Sequence, residues 1–286
     1  MKDIILLPNP SRDVDFSVTK QVSEILKRCG RTVRLCSVFK EEMEIDAIPG
    51  LPVSDFEEAV DSAEMIITFG GDGTILRVAR LVADRPIPIL GINMGGKGFM
   101  AELETGDVEL VECAAKGEYE IGYRMMLDAE ILRDGEVVFG GFALNDVIVK
   151  GVSKVIEVTL CGDGNRISSF TGDGVVVATP TGSTAYSMSA GGPVVEPYTH
   201  NIIVTPICAH VLEAKPYVLM SDRKVTVEIG FSKPNPAYMS MDGCEPVPVF
   251  GGDEIKIKKS EKSTCFVHLS NKSFYKRVSE KLGEKV

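Results

Sequence analysis

The residues best suited to chemistry sit in one glycine turn. In "IITFGGDGTILRVAR" (66–80), an apolar run stops at Gly70 and Gly71. Asp72, Gly73 and Thr74 follow, and then a helical pattern begins. Glycines at such a turn let a ligand lie against backbone N–H groups. A lone carboxylate among them repels a phosphate unless its charge is used, and accepting a proton is one such use. The bland alternative is a strand-to-helix turn in which Asp72 or Thr74 caps the helix. The dinucleotide fingerprint G-x-G-x-x-G does not fit, because Gly71 and Gly73 are followed by Leu76 where the third glycine belongs.

Two further loops have chemical potential. "GINMGGKGF" (91–99) spaces Gly91, Gly96 and Lys97 as a P-loop does. Gly98 stands where the magnesium-binding Ser or Thr belongs, and no clear helix follows. Lys97 there is either a phosphate contact or a solvated surface lysine. "TGDGVVVATPTGSTAYSMSAGGP" (171–193) gathers Thr179, Thr181, Ser183, Thr184, Tyr186, Ser187 and Ser189 around one apolar strand. So many uncharged donors suit ribose and phosphate oxygens better than a plain surface turn. No G-x-S-x-G is present, which argues against a serine hydrolase.

Composition narrows the classes. The chain has 286 residues, 44% apolar and 25% charged, with a formal net charge of -10. The acidic balance argues against a nucleic-acid binder, which needs a basic face. "MKDIILLPNP" has too short an apolar run for a signal peptide, and no stretch reaches the length of a membrane span. Seven scattered cysteines, odd in number and never spaced C-x-x-C, read as reduced, mostly buried thiols of a cytoplasmic protein. His200, His210 and His268 form no ligand pair, which argues against zinc.

The elements that must position these loops divide near residue 120. Before it, strands at 4–7, 32–36, 65–69 and 87–92 alternate with helices. The first helix carries Val18, Val22, Ile25 and Leu26 on one face and stops at Gly30. Others are expected at 54–63, opened by Ser54 and Glu57 in capping-box spacing, at 74–84 and at 107–117. That alternation implies a parallel sheet covered by helices, with ligands at the carboxyl ends of its strands. After it, β-branched runs take over. A hairpin is expected around Asp134-Gly135, followed by strands in "KVIEVTLC", "DGVVVAT", "NIIVTPI", "KVTVEI", "DEIKIKK" and "TCFVHL". The expectation is an α/β, Rossmann-like domain over 1–120 and an all-β sandwich domain over 121–270. A C-terminal helix, 271–286, packs back on the first.

In this order, "GGDGT", "LND" (144–146), "TGDG" and "TPTGSTAYSMSAGGPVV" resemble the NAD kinase family. The likeness runs along nearly the whole chain. "NMGGKGFMAEL", "PICAHVLEAKP" and "MDGCEP" resemble further family segments. Diacylglycerol and sphingosine kinases share GGDGT, whereas the 179–193 block is far more specific. The resemblance implies transfer of the γ-phosphate of ATP, or of polyphosphate, to the 2′-hydroxyl of the adenosine ribose of NAD. A divalent cation, usually magnesium, is needed, and its ligands stay open. The resemblance also implies site roles. Asp72 is the base. Gly70, Gly71, Gly73 and Thr74 form the phosphate-donor loop. Phe99, Asn145, Asp146 and Asp173 bind NAD together with Asp72 and Gly73. Thr184, Ala185, Tyr186, Ser187, Met188 and Ser189 line the adenine and ribose pocket. NAD and ATP are the expected partners, with a homodimer or homotetramer and no nucleic acid or membrane. Lys97, Thr171, Ala209 and Cys244 depart from the family pattern. A lipid kinase of the diacylglycerol or sphingosine type and a non-catalytic dinucleotide sensor are the alternatives.

Overall fold

The computed structural model describes residues 3–37, 48, 50–51, 53–96, 98–210, 214–231, 236–269 and 274–283. Lys97 lies outside them. The chain divides into two compact units, 1–123 with 264–286, and 124–263. The chain thus returns to the first unit at Thr264, inside its last strand, earlier than the C-terminal helix.

The first unit runs β1 (Asp3–Pro8), α1 (Ser17–Arg28), β2 (Val33–Cys36), β3 (Val53–Ser54), α2 (Phe56–Val60), β4 (Ala63–Gly70), α3 (Asp72–Leu81), β5 (Ile89–Asn93) and β6 (Leu103–Glu104). A 3₁₀ turn (Thr105–Leu110) and α4 (Val111–Lys116) follow. Its parallel sheet has the order β5-β4-β1-β2-β3, with Ile66 beside Ile89 and Ile4 beside Val33. Ile4, Ile5, Leu6 and Leu7 are all buried, as expected of a strand covered on both faces. Val22, Ile25 and Leu26 of α1 join Leu6, Met65, Ile67 and Leu90 in one core.

Two helix starts differ from expectation. Ser54 ends β3, and Asp55 caps α2, its carboxylate accepting the N–H groups of Glu57 and Glu58 at 2.9 and 3.4 Å. Asp55 reaches the first-turn amides, so the Ser54 box is not used. The helix is also shorter than 54–63, because Ala63 already opens β4. α3 begins at Asp72 itself, with Gly71 at the cap position and no side-chain cap. The expected 107–117 helix is split between the 3₁₀ turn and α4.

The second unit holds β7 (Glu120–Arg133), β8 (Glu136–Ala143), β9 (Asp146–Gly151), β10 (Ile156–Gly162), β11 (Asn165–Gly172) and β12 (Gly174–Ala178). After a 3₁₀ turn (Thr181–Thr184) come α5 (Tyr186–Ser189), β13 (Asn201–Ile207), β14 (Tyr217–Met220), β15 (Val225–Ile229), β16 (Ala237–Met241), β17 (Val247–Val249) and β18 (Glu254–His268). One antiparallel sheet is β14-β13-β12-β9-β16-β17, and β11, β10, β15 and β18 pair in a second. Val147, Val175 and Val204 of the first pack with Val158, Val227 and Ile255 of the second in a shared core, which makes a sandwich. The β7–β8 hairpin turns at Asp134 and Gly135, both with positive φ (51° and 83°), as a two-residue type I′ turn requires.

"DEIKIKK" and "TCFVHL" belong to one strand, β18, rather than two. It pairs with β15 through Ile257, and Phe266 lies parallel beside Ile89 in the first unit. α6 (Phe274–Leu282) then closes the described chain, within the first unit. Among the described residues no disulfide joins any of the seven cysteines. Cys36, Cys161 and Cys265 are buried, Cys29, Cys113 and Cys244 partly so, and Cys208 is exposed.

Candidate active site

In the first unit, β4 delivers the glycine turn to the carboxyl edge of the parallel sheet. Gly70 is required by close approach, since a Cβ there would sit 2.3 Å from Thr74 Oγ1. That hydroxyl in turn accepts Asn9 Nδ2 at 3.0 Å. Gly71 and Gly73 face open space, with no atom within 4 Å of a built Cβ. The turn is therefore tight below and open above.

Asp72 is not a helix cap. Its Oδ2 accepts the backbone N–H of Phe99 at 2.8 Å, and its Oδ1 accepts that of Met100 at 3.1 Å. The segment after β5 folds over the turn to make these bonds. Met94 N–H donates to Gly70 O at 3.1 Å, and Glu102 N–H to Gly91 O at 3.0 Å. Gly98 belongs to the same fit, because a Cβ there would lie 2.9 Å from Asp72 Oδ1. Among the described residues no helix begins between Gly98 and Glu104. The chain bends through Gly95 and Gly96 at φ 105° and 96° and passes into β6, so the P-loop-like spacing does not produce a P-loop.

Burial raises the Asp72 carboxyl above its ordinary range. The two amides and the charge of Lys281 pull the other way without cancelling it. The result is a carboxylate with increased proton affinity that keeps further lone pairs for a donor.

In the second unit, Asp242 organises the Leu144-Asn145-Asp146 turn. Its carboxylate accepts the N–H groups of Leu144, Asn145 and Asp146 at 2.7, 2.7 and 3.1 Å. Asp242 itself has a positive φ of 50°. The sequence reading gave it no role, and its only signal was the "MDG" turn. Asp146 is buried, and desolvation together with the Asp242 charge pushes its carboxyl up to about 7. Thr179 N–H donates to Asn145 O at 2.8 Å. Gly182 lies so close that a Cβ would be 2.1 Å from that oxygen. Among the described residues Asn145 Oδ1 and Thr181 Oγ1 are buried with no hydrogen-bond partner. Such orphaned polar atoms are rare in folded proteins.

The hydroxyl-rich block is used differently from expectation. Thr179 Oγ1 donates to Leu144 O at 2.6 Å and accepts Gly182 N–H at 3.1 Å. Ser183 Oγ donates to Pro180 O at 2.7 Å and accepts Val195 N–H at 3.0 Å. Ser187, expected in the ribose pocket, is fully buried and pairs with the Thr205 hydroxyl at 2.9 Å. These three hydroxyls fix the turn rather than present donors to a ligand. Thr184, Ala185, Tyr186 and Met188 are partly accessible, and Ser189 is exposed. Ala185 is the joint between the 3₁₀ turn and α5. The Tyr186 hydroxyl, and more weakly Tyr238 and Asp173, hold the Lys150 ammonium above its ordinary range against its partial desolvation. Of the departing positions, Thr171 lies in β11, where its carbonyl accepts His210 N–H at 2.8 Å. Cys244 closes the turn after β16, its carbonyl accepting Ser240 Oγ at 2.8 Å.

Fold and turn chemistry together define a kinase built from an α/β unit and an all-β unit. Residues 4–114 match the family model of the ATP-NAD kinase N-terminal domain, and residues 144–269 that of the C-terminal domain. The chain belongs to the ATP-NAD kinase family. It is 40% identical to the NAD kinase of Natranaerobius thermophilus over 99% of this chain and 98% of that protein. With the NAD kinase of Acetivibrio thermocellus it shares 34% over 100% and 98% of the two chains. The structure of an NAD kinase from Archaeoglobus fulgidus in complex with ATP matches with a TM-score of 0.73 and 30% identity, covering 98% of each chain. Yeast NADH kinase complexed with NADH has the same fold, with a TM-score of 0.82 at 23% identity over 100% of this chain and 88% of that one.

Proposed function

We propose that the chain is an NAD kinase in which Asp72 is the general base. The 2′-hydroxyl of the adenosine ribose gives its proton to the Asp72 carboxylate. Its oxygen bonds to the γ-phosphorus of ATP, the bond from that phosphorus to the bridging oxygen breaks, and ADP leaves. Phosphoryl transfer asks mainly for in-line placement and charge neutralisation, so one carboxylate suffices on the protein side. The observation that carries this reading is the Asp72 carboxylate itself, half-buried, raised in proton affinity and fixed by the Phe99 and Met100 amides.

The open space over Gly71 and Gly73 suits a triphosphate laid against backbone, with Thr74 at the helix start. In the second unit, Asn145, Asp146 and Asp173 would recognise the dinucleotide's polar edges. Thr184, Ala185, Tyr186, Met188 and Ser189 would line its nucleoside pocket. In the first unit, Phe99 is a proposed NAD-binding residue. Among the described residues no group of three or more His, Cys, Asp or Glu side chains comes together to hold a metal. Magnesium therefore fits best as part of the donor, bound chiefly by ATP phosphates and water. Polyphosphate would enter by the same open turn.

A homo-oligomer in the cytoplasm is part of the same reading. No described helix is long and apolar enough to cross a membrane. The lipid-kinase alternative has only GGDGT in its favour, and a sensor without turnover has no need of a raised carboxylate.

Incubation of the purified chain with NAD, ATP and magnesium, followed by an NADP-specific readout, tests the proposal. NADP should form in this mixture and not when NAD, magnesium or the phosphate donor is left out. Absence of NADP with either ATP or polyphosphate would overturn it.

A further inference from the structure

α6 is an odd helix to keep. None of its residues is fully buried, so it contributes little apolar burial to the first unit. Yet two of its cations are turned inward. The Arg277 and Lys281 side chains are only 17% and 18% exposed. Both reach the segment that folds over Asp72.

Lys281 Nζ donates to Glu104 Oε1 at 2.8 Å. The other oxygen of Glu104 accepts Asn93 Nδ2 at 2.7 Å, and the same Nδ2 donates to Gly96 O at 3.2 Å. Arg277 Nη1 donates to Ala101 O at 3.2 Å, and its Nη2 pairs with Glu102 Oε2 at 2.5 Å. Glu102 is buried, and it also accepts Leu269 N–H and pairs with His268 Nδ1, each at 3.1 Å. The helix thus grips the segment at both ends. Asn93, Gly96 and Glu104 are held through Lys281, and Ala101 and Glu102 through Arg277. Between the grips lie Gly98, Phe99 and Met100, the backbone that fixes the Asp72 carboxylate.

We propose that Lys281 is a positioning residue of the C-terminal helix. Through Glu104 and Asn93 it clamps residues 94–96 and 98–101, so that the Phe99 and Met100 amides are aimed at Asp72. The proposal rests on the reading of Asp72 as the base only for its effect on rate. The clamp itself is a statement about the backbone. Lys281 is also the charged side chain whose field acts on the Asp72 carboxyl, favouring its ionised form. The neighbouring side chains, Glu102, Glu104, Arg277 and His268, are paired among themselves or with Lys281. Losing the ammonium therefore both loosens the amides and removes a stabilising charge, and each change moves the base toward higher pKa.

The test compares Lys281→Met, Lys281→Arg and the outward-facing control Lys276→Met in the full chain. Amide exchange over 94–101 and the pH profile of kcat are measured for each. In Lys281→Met, exchange should speed up in that segment and not across the whole unit. The kcat should fall on the order of tenfold, as when a catalytic group is misplaced. Its acid limb should move up by at most about one pH unit. The KM for NAD should stay near the parent value. Lys281→Arg should recover most of both effects, and Lys276→Met should match the parent. Unchanged exchange over 94–101 in Lys281→Met, or exchange raised uniformly with an unmoved acid limb, would overturn the clamp. Near-normal turnover of Asp72→Asn would instead remove the base assignment, and the exchange result would still stand or fall by itself.

Discussion

Asp72 Oδ2 accepts the backbone N–H of Phe99 at 2.8 Å, across 27 residues of chain. This bond separates two roles that the sequence leaves together. A capping aspartate bonds the first amides of its own helix, whereas Asp72 bonds amides of a distant segment and leaves the cap position to Gly71. The carboxylate is thereby fixed in orientation while burial keeps its proton affinity high. Such preorganisation is what proton transfer needs from a protein.

Gly98 sits directly against this carboxylate. A Cβ at that position would lie 2.9 Å from Asp72 Oδ1, so Gly98→Ala must displace either the carboxylate or the 98–100 backbone. We expect turnover to fall by roughly tenfold or more, with little change in melting temperature because the position is partly exposed. Steady-state kinetics and thermal unfolding of the variant check this. A fully active Gly98→Ala would show that the Asp72 geometry tolerates movement.

Asp146, proposed as an NAD-binding residue, carries a stability cost. Its carboxyl is raised from 3.8 to about 7 by burial and by Asp242. The folded state therefore holds that proton more tightly than the unfolded chain. Its contribution to stability is present below about pH 4, falls as pH rises toward 7, and is lost above it. Asp146→Asn removes the ionisation. The variant should be more stable than the parent at pH 8, by at most about 4 kcal/mol at 1.4 kcal/mol per unit, and should gain least near pH 4. It should also bind NAD more weakly, the usual exchange between stability and function. Denaturant titrations at the two pH values, with NAD binding measured on the same samples, decide it. Equal stability gains at both pH values would contradict the shift.

Ser187 illustrates what the sequence hides. Its hydroxyl is buried on Thr205 at 2.9 Å, and Gly192 is packed so closely that a Cβ would lie 2.4 Å from Ser187 Oγ. Ser187→Ala leaves the buried Thr205 hydroxyl without this partner and should cost about 1–3 kcal/mol of stability. The KM for NAD should stay unchanged. A raised KM without loss of stability would return Ser187 to the ligand pocket.

The parallel strands were legible because two-sided burial demands continuous apolar runs, as in Ile4–Leu7 and Met65–Phe69. The Asp134-Gly135 hairpin was legible because its turn needs residues that accept positive φ. β11, "NRISSFTG", was not read as a strand, because most of it is polar and accessible at the edge of its sheet. β18 read as two strands because "KSEKS" looks like a break. In the fold the strand continues, with Ser260 buried, Lys259 exposed and the Lys262 ammonium 4.4 Å from the Phe142 ring centre. Within the site, the glycine pattern placed Asp72 at the sheet edge, since that depends on local chain geometry. The amides of Phe99 and Met100, the Asp242 anchor and the inward cations of α6 depend on contacts far apart in sequence, which no local pattern encodes. The internal bonds of Thr179, Ser183 and Ser187 were hidden for the same reason, since composition counts donors but not where they are spent.

The most direct test of the account is the turnover of Asp72→Asn, measured with NAD binding and thermal unfolding on one preparation. Asn preserves the size of the side chain but can no longer take the proton. One of its two acceptor oxygens is also lost, so melting temperature and NAD affinity should be compared with the parent first. With folding and binding retained, the account predicts that NADP formation falls by about 10²–10⁴-fold, the usual contribution of a general base. Near-normal turnover in a folded, NAD-binding variant would contradict it and leave positioning and the metal-bound donor as the source of catalysis.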